Sequence, residues 1–277
     1  MKLTITVLTD NCQDRGERLL AEHGLCLLVE TEERRVLLDA GQTDVCASNA
    51  ARLGATLGDV SAVVLTHGHY DHGGGLPALA DRLGEFEVLA HPGAFVRKYA
   101  RRSGDEDRDI GLPYSADDLV HRGAVVRLEP HAHEIGGGLI ATGSIPRVTH
   151  FEEDDPHFWV KADGRWELDH FEDDQALVAR TAGGLVVTLG CAHAGVINTL
   201  RHAMTLTGDD RIRAVIGGLH LASASLERIQ RTITALREME VGQVVACHCT
   251  GFAARMHLYA AFGRQFINGT VGLKLTF

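Results

Sequence analysis

The 277-residue sequence predicts one α/β domain built from two similar layers. Three observations predict it. Short apolar runs of strand character recur along the whole chain, and the later ones alternate with helical patterns. Both halves run in the same order, strands first and strand–helix units afterwards. No linker, low-complexity stretch or sequence repeat separates them. The expected organisation is a single domain over 1–277, with substrate-covering excursions at 91–118 and 144–170.

The elements follow in order. Lys2 to Leu8 alternates and reads as a strand. Leu25 to Val29 and Val36 to Leu38 read as two more, joined as a hairpin through Thr31-Glu32-Glu33. Val45 to Leu57 is alanine-rich with helical spacing. Val63 to Leu65 is a buried-type strand that runs straight into Thr66-His67. Leu76 to Leu83 reads as a helix and Glu87 to Leu89 as a strand. Residues 101 to 118 are charged and aperiodic, which suits a surface excursion or lid. Val125 to Leu128 and Leu139 to Ala141 read as strands. Arg147 to His170 holds many acids, both tryptophans and a turn signal at Asp163-Gly164, so a hairpin over a site is expected there. Ala176 to Ala179 and Leu185 to Leu189 are strands, and Val196 to Met204 is a helix. Ile212 to Ile216 is a strand. Leu226 to Met239 is amphipathic, with Leu226, Ile229, Ile233 and Leu236 on one side. Val244 to Ala246 is a strand, Ala253 to Phe262 a helix, and Thr270 to Thr276 a closing strand.

Charge and composition exclude several classes. Lys and Arg total 27 against 37 Asp and Glu, a formal charge of -10. That disfavours a general nucleic-acid partner, which needs a basic face. No 18-residue uncharged apolar stretch exists, so no membrane span is expected. The amino terminus lacks the pattern of a signal peptide, and a cytoplasmic location is the expectation. The six cysteines do not have disulfide-scaffold spacing, and most read as free buried thiols. A homodimer stands as the assembly to test.

Histidine is the telling count, 16 of 277. Four candidate ligands fall in Thr66-His-Gly-His-Tyr-Asp-His72: His67, His69, Asp71 and His72. In an extended segment His67 and His69 turn to one side, while Asp71 and His72 reach a neighbouring point. That arrangement serves two metal ions from one loop, and glycines 73–75 allow the sharp turn. Imidazole and carboxylate suit zinc, iron, cobalt or manganese. Three later strands each end at a histidine: His193, His220 and His248. Ligand sites in α/β sheets collect at such strand ends. Asp39 also follows a strand, placed to accept from a ligand's free ring nitrogen. His91 ends another strand, where substrate contact and capping are both open. Cys191 sits two residues before His193 and reads as a residue that orients ligands or touches substrate.

Thr66-His-Gly-His-Tyr-Asp-His72, with Leu37-Leu-Asp-Ala-Gly41 upstream, resembles the metallo-β-lactamase superfamily, and the likeness spans nearly the whole chain. The resemblance implies an αββα sandwich, mixed sheets flanked by helices, with a dinuclear site at the sheet edges. It implies that His67, His69 and His193 hold one metal and Asp71, His72 and His248 the other. Zinc is the first choice, and iron or manganese are alternatives. Gly190-Cys-Ala-His-Ala-Gly-Val-Ile-Asn-Thr199, Gly217-Gly-Leu-His-Leu221 and Cys247-His-Cys-Thr-Gly251 resemble the 7,8-dihydropterin-6-yl-methyl-4-(β-D-ribofuranosyl)aminobenzene 5'-phosphate synthase branch. There is one departure. The superfamily's bridging aspartate is missing after Ile216, where Gly217, Gly218 and His220 stand instead. His220 as a ligand, a bridge of water or hydroxide alone, and one weak site are the open alternatives.

The expected function is hydrolysis of a small, anionic, phosphorylated or pterin-like molecule by a metal-activated water. Asp71 orients that water, and His220 contacts an oxyanion or donates a proton if it is not a ligand. No Gly-x-Ser-x-Gly elbow supports serine hydrolysis. The rivals are a nuclease or phosphodiesterase of the same fold, an iron-dependent redox enzyme, and a non-enzymatic pterin- or metal-binding module.

Overall fold

Two seven-stranded mixed sheets lie face to face between helices in this computed structural model. It describes every residue except Met1, Arg15, Glu17, Ser103, Asp105 and Asp163, and of Ala162 the backbone alone. The first sheet holds β1 (Thr4–Thr9), β2 (Cys26–Glu30), β3 (Arg35–Leu38), β4 (Ala62–Val64), β5 (Glu87–Ala90), β8 (Val125–Leu128) and β18 (Lys274–Thr276), in the order β18-β1-β2-β3-β4-β5-β8. The second holds β9 (His133–Gly136), β10 (Leu139–Ala141), β13 (Ala176–Thr181), β14 (Gly184–Leu189), β15 (Ile212–Gly218), β16 (Val244–Cys247) and β17 (Phe266–Asn268), in the order β17-β16-β15-β14-β13-β10-β9. A four-stranded sheet is formed by β6 (Lys98–Ala100), β7 (Arg108–Asp109), β11 (Phe158–Ala162) and β12 (Arg165–Leu168).

Alternation along the strands builds three apolar layers. Val36, Leu38 and Val64 face Val186, Ala214 and Ile216 across the central layer. Leu37, Val63 and Val88 face outward onto α1 (Val45–Arg52) and α3 (Leu76–Ala80). On the other side Leu185, Val187 and Val215 pack beneath α5 (Val196–Thr207), α6 (Leu226–Glu238) and α7 (Phe252–Phe262). Strands buried on both faces read as continuous apolar runs, which is how the sequence presents them.

Several boundaries differ from the sequence reading. The first helix stops at Arg52, not Leu57, because Gly54 takes a positive φ just past its end. The aperiodic stretch before 118 hides β7 and a helix, Ala116–His121, which Ser115 and Asp118 start with a reciprocal capping box. Strands β9 and β17 were not expected, and only Lys274–Thr276 of the closing segment is a strand. Leu226 opens α6 on the exposed side, and the buried stripe is made by Ile229, Thr232, Ile233, Ala235 and Leu236. The turn residue Asp163 lies outside the described residues; β11 and β12 flank it as an antiparallel pair.

The parallel runs β3-β4-β5 and β14-β15-β16 end at one common edge. Gly190 lets the two sheets meet there. A Cβ at that position would collide with Thr66 Oγ1 and press on Asp39 Oδ2. The small sheet is pinned to this edge by Lys98, which is 2% exposed. Its ammonium lies 2.7 Å from Asp169 Oδ2 and 3.0 Å from Asp173 Oδ1, and Asp173 Oδ2 accepts from Gly68 N at 2.8 Å. Removing the cation leaves two buried carboxylates facing each other. Lys98→Met is expected to cost about 3 kcal/mol of unfolding free energy by urea titration. A loss below about 1 kcal/mol would mean that water replaces the ammonium there.

Candidate metal centre

The loop after β4 carries the densest part of the site. Thr66 Oγ1 donates to Asp39 Oδ2 at 2.8 Å, so its oxygen accepts from His67 Nδ1 at 3.0 Å. That leaves His67 Nε2 with no protein partner, in a side chain fully closed to solvent. His69 Nε2 is buried and unpartnered in the same way. His193, carried past β14, stacks on Phe171 with ring centres 3.8 Å apart, and neither of its nitrogens has a partner. Potential ligand atoms of His67, His69 and His193 lie within 4.8 Å of one another. Burial pushes all three imidazoles toward the neutral form, His69 to about 3. A neutral imidazole with a free lone pair is the state that binds a metal. Buried unpaired nitrogens are otherwise costly, so this cluster fits a metal ion.

A second cluster adjoins it. His72 Nδ1 meets Asp39 Oδ2 at 2.6 Å, which aims Nε2 at His248 Nε2, 3.2 Å away. His248 is seated by Asp10, which accepts from its backbone N at 2.6 Å, and by Asn11, 2.7 Å from its Nδ1. Its Nε2 is 3.2 Å from Asp71 Oδ2. Burial works against ionisation of Asp71, but His72, His23 and His248 outweigh it and hold the carboxyl well below its usual range. The chemistry of this donor set, two imidazoles and a carboxylate, also fits a metal.

Above both clusters opens a cleft of about 550 Å³. Its size is that of a small-molecule pocket. His69, Asp71, Cys191, His193, His220 and His248 reach it from the two large sheets, and Arg102, Arg108 and Phe158 from the excursions. His220 has a positive φ and lies with its ring 4.2 Å from that of His193. Burial disfavours its imidazolium, yet Asp155 and the Cys249 sulfur raise it to about 9. Asp155 Oδ2 stands 3.9 Å from its Nε2.

The structure therefore brings together His67, His69, Asp71, His72, His193 and His248, with Asp39 and Cys191 in contact with His72. His220 lies beside them. His91 does not join them: its Nδ1 accepts from Gly93 N at 2.9 Å, capping a 3-10 turn, and it is absent from the cleft lining. Sequence reasoning missed His23, whose Nε2 lies 3.1 Å from Asp71 Oδ2. It also missed Cys249, Asp155 and the rings of Phe158 and Phe171. No sequence signal marks His23; the structure shows that Gly24 brings it beside Asp71, since a Cβ at that position would strike the carbonyl of Asp71.

Asp174 lies under the His193 loop and is 1% exposed. Its Oδ2 accepts from Ala194 N at 2.8 Å, while Oδ1 has no partner. Burial raises this carboxyl to about 7 against that hydrogen bond. Between pH 4 and 7 the folded, metal-free chain thus keeps a proton that the unfolded chain has lost. Stability from this group falls as pH rises through that window. Asp174→Asn keeps the acceptor and cannot ionise. From pH 4.5 to 7.5 its stability is expected to gain roughly 2–4 kcal/mol on the parent, read by urea unfolding. A gap that stays constant with pH would refute this assignment.

An αββα sandwich with a histidine–carboxylate cleft where its parallel strands end is the architecture of a metal-dependent hydrolase. The chain belongs to the metallo-beta-lactamase superfamily, whose model matches residues 20–212. An uncharacterized protein of Methanocaldococcus jannaschii is 30% identical, over 97% of this chain and 98% of its own. A second protein of that organism, 7,8-dihydropterin-6-methyl-4-(beta-D-ribofuranosyl)-aminobenzene-5'-phosphate synthase, is 28% identical, over 95% of this chain and 93% of its own. The crystal structure of Tm1679, a metal-dependent hydrolase of the beta-lactamase superfamily, superposes with a TM-score of 0.82 at 32% identity, over 99% of this chain and 98% of that one.

Proposed function

We propose that this metal-dependent hydrolase acts on a small anionic molecule, phosphorylated or pterin-like, at a dinuclear centre in the cleft. One observation carries the reading: buried, unpartnered imidazole nitrogens converge beside Asp71 beneath a cleft that Arg102 and Arg108 also line. In it His67, His69 and His193 hold one divalent transition metal, and Asp71, His72 and His248 hold the other. Zinc suits these donors best, and iron or manganese also fit. Such a pair, when bound, lowers the pKa of water and offsets charge on an anionic oxygen.

The chain's own residues do the rest. His23 donates to Asp71 and fixes its carboxylate, whose second oxygen accepts from the attacking water and orients it. His220, held as a cation beside Asp155, faces the developing oxyanion or donates a proton to the leaving oxygen. Arg102 and Arg108 supply charge-assisted contacts to a phosphate or carboxylate. Phe158 offers a flat pterin ring an aromatic neighbour. The similarity to the M. jannaschii synthase supports a pterin-type substrate. The acidic balance of the sequence argues against nucleic acid, and the expected location is the cytoplasm.

Protein purified without chelator is tested against phosphodiesters, cyclic nucleotides, lactones, β-lactams and pterin phosphates. Chelator-sensitive turnover is expected on a phosphorylated member. Arg108→Ala then raises KM for that substrate about tenfold, the loss of one charge-assisted hydrogen bond, and leaves kcat near the parent's. Turnover confined to neutral lactones would defeat the anionic reading. A chain that binds metal tightly and turns over nothing would favour a binding module.

A further inference from the structure

The departure at the end of β15 leaves a specific gap. Two cations held side by side repel each other unless an anion stands between them. Asp209 and Asp210 are at the other end of the strand, where Asp209 pairs with Arg211 at 2.8 Å. At the cleft end stand Gly217, Gly218 and His220. The carboxylates that line the cleft, among the described residues, are Asp71, Glu106 and Asp155. Asp71 already belongs to one cluster, and Asp155 faces His220 and His157.

Cys191 fills the gap by position. It leaves the end of β14 through Gly190 and is 3% exposed. Its sulfur is 3.1 Å from His72 Nε2. Among the described residues, potential metal donors within 4.8 Å of one another form five groups, and Cys191 is in three of them: with His67 and His72, with His193 and His220, and with His248 and Cys249. Its companions thus come from both proposed ligand sets, His67 and His193 from one, His72 and His248 from the other. Both nitrogens of His193 are buried and unpartnered within one of these groups. Cys249 is in a single group, and its sulfur turns toward the Cys191 carbonyl, 3.6 Å away.

We infer that Cys191 is a metal ligand shared by the two sites, its thiolate standing where the superfamily has a carboxylate. The inference rests on the dinuclear reading above. Binding breaks the S–H bond, the sulfur's electron pair goes to the metal, and the proton leaves to solvent. A soft sulfur donor shifts the preference of the whole site toward zinc or iron and away from manganese.

Cobalt(II) is the probe, because a thiolate ligand gives it an intense near-ultraviolet charge-transfer band that nitrogen and oxygen ligands do not. Metal-free wild-type protein is expected to take up about two cobalt ions per chain, as a two-metal site does, and to show the band. Cys191→Ser is expected to lose at least nine-tenths of the band and to fall toward about one ion. Cys191→Asp is expected to hold about two ions with no band, and Cys249→Ser to keep the band. A Cys191→Ser protein with the wild-type band, a Cys249→Ser protein without it, or wild type with two ions and no band overturns the inference. Should Cys191→Ser fail to fold, Cys191→Asp decides: a persisting band overturns it. Wild-type protein that takes up no cobalt defeats the dinuclear reading itself, which separates the two failures.

Discussion

His67→Ala is expected to lower kcat/KM for the metal-dependent substrate by about a thousandfold or more and to reduce bound metal. The side chain is closed to solvent, and Thr66 commits its Nδ1, so Nε2 has one direction to face. His69 and His193 face the same point. Three donors close most of a tetrahedral set; two do not hold an ion against water. A metal in such a site is worth several kcal/mol of transition-state stabilisation, and each 1.4 kcal/mol is about a factor of ten. The fold is expected to survive the change, because His67 packs chiefly against the rings of His69, His72 and His193 at the sheet edge. Metal analysis and far-ultraviolet circular dichroism on one sample separate the effects. Full metal content with kcat/KM within tenfold of the parent, in a folded variant, would remove His67 from the centre.

Why His67 is legible from sequence and His23 is not follows from backbone geometry. Strands that are apolar on both faces announce themselves, and polar residues directly after them fall at the sheet edge. Thr66 to His72, His193, His220 and His248 all sit at such ends, so their convergence could be read without coordinates. His23 lies in an irregular segment, and its approach to Asp71 depends on a turn at Gly24 that no periodicity encodes. Lys98 is likewise invisible, since its carboxylate partners lie 71 and 75 residues away. Cys249 was visible in Cys247-His-Cys249 but indistinguishable from a core thiol. Only the crossing of two strand ends separates Cys247, which packs between the sheets, from Cys249, which lines the cleft. His91, for which substrate contact and capping were both open, is the converse case and takes the capping role. It too ends a strand, yet a proline and a 3-10 turn follow it, and its ring nitrogen is used locally.

Asp39 makes the sharpest distinction between charge and shape. It is fully buried, with a positive φ, and accepts three hydrogen bonds: from Thr66 N at 2.8 Å on Oδ1, and from Thr66 Oγ1 and His72 Nδ1 on Oδ2. Asp39→Ala deprives a buried imidazole and a buried hydroxyl of their acceptor. It is expected to cost about 3–5 kcal/mol of stability in urea unfolding. Asp39→Asn is nearly isosteric and is the more informative change. Its one oxygen is held by Thr66 N, which turns the amide NH2 toward His72. The imidazole answers by accepting at Nδ1 and moving its proton to Nε2, the nitrogen that faces His248 and Asp71. A protonated Nε2 cannot ligate. Metal affinity is therefore expected to fall about 10–100-fold in Asp39→Asn, with a smaller loss of unfolding free energy than in Asp39→Ala, since only the Thr66 hydroxyl must find a new acceptor. Competition against a chromophoric chelator reads the affinity. Wild-type affinity in Asp39→Asn would mean that His72 is no ligand, and that Asp39 serves only to tie the two strand ends together.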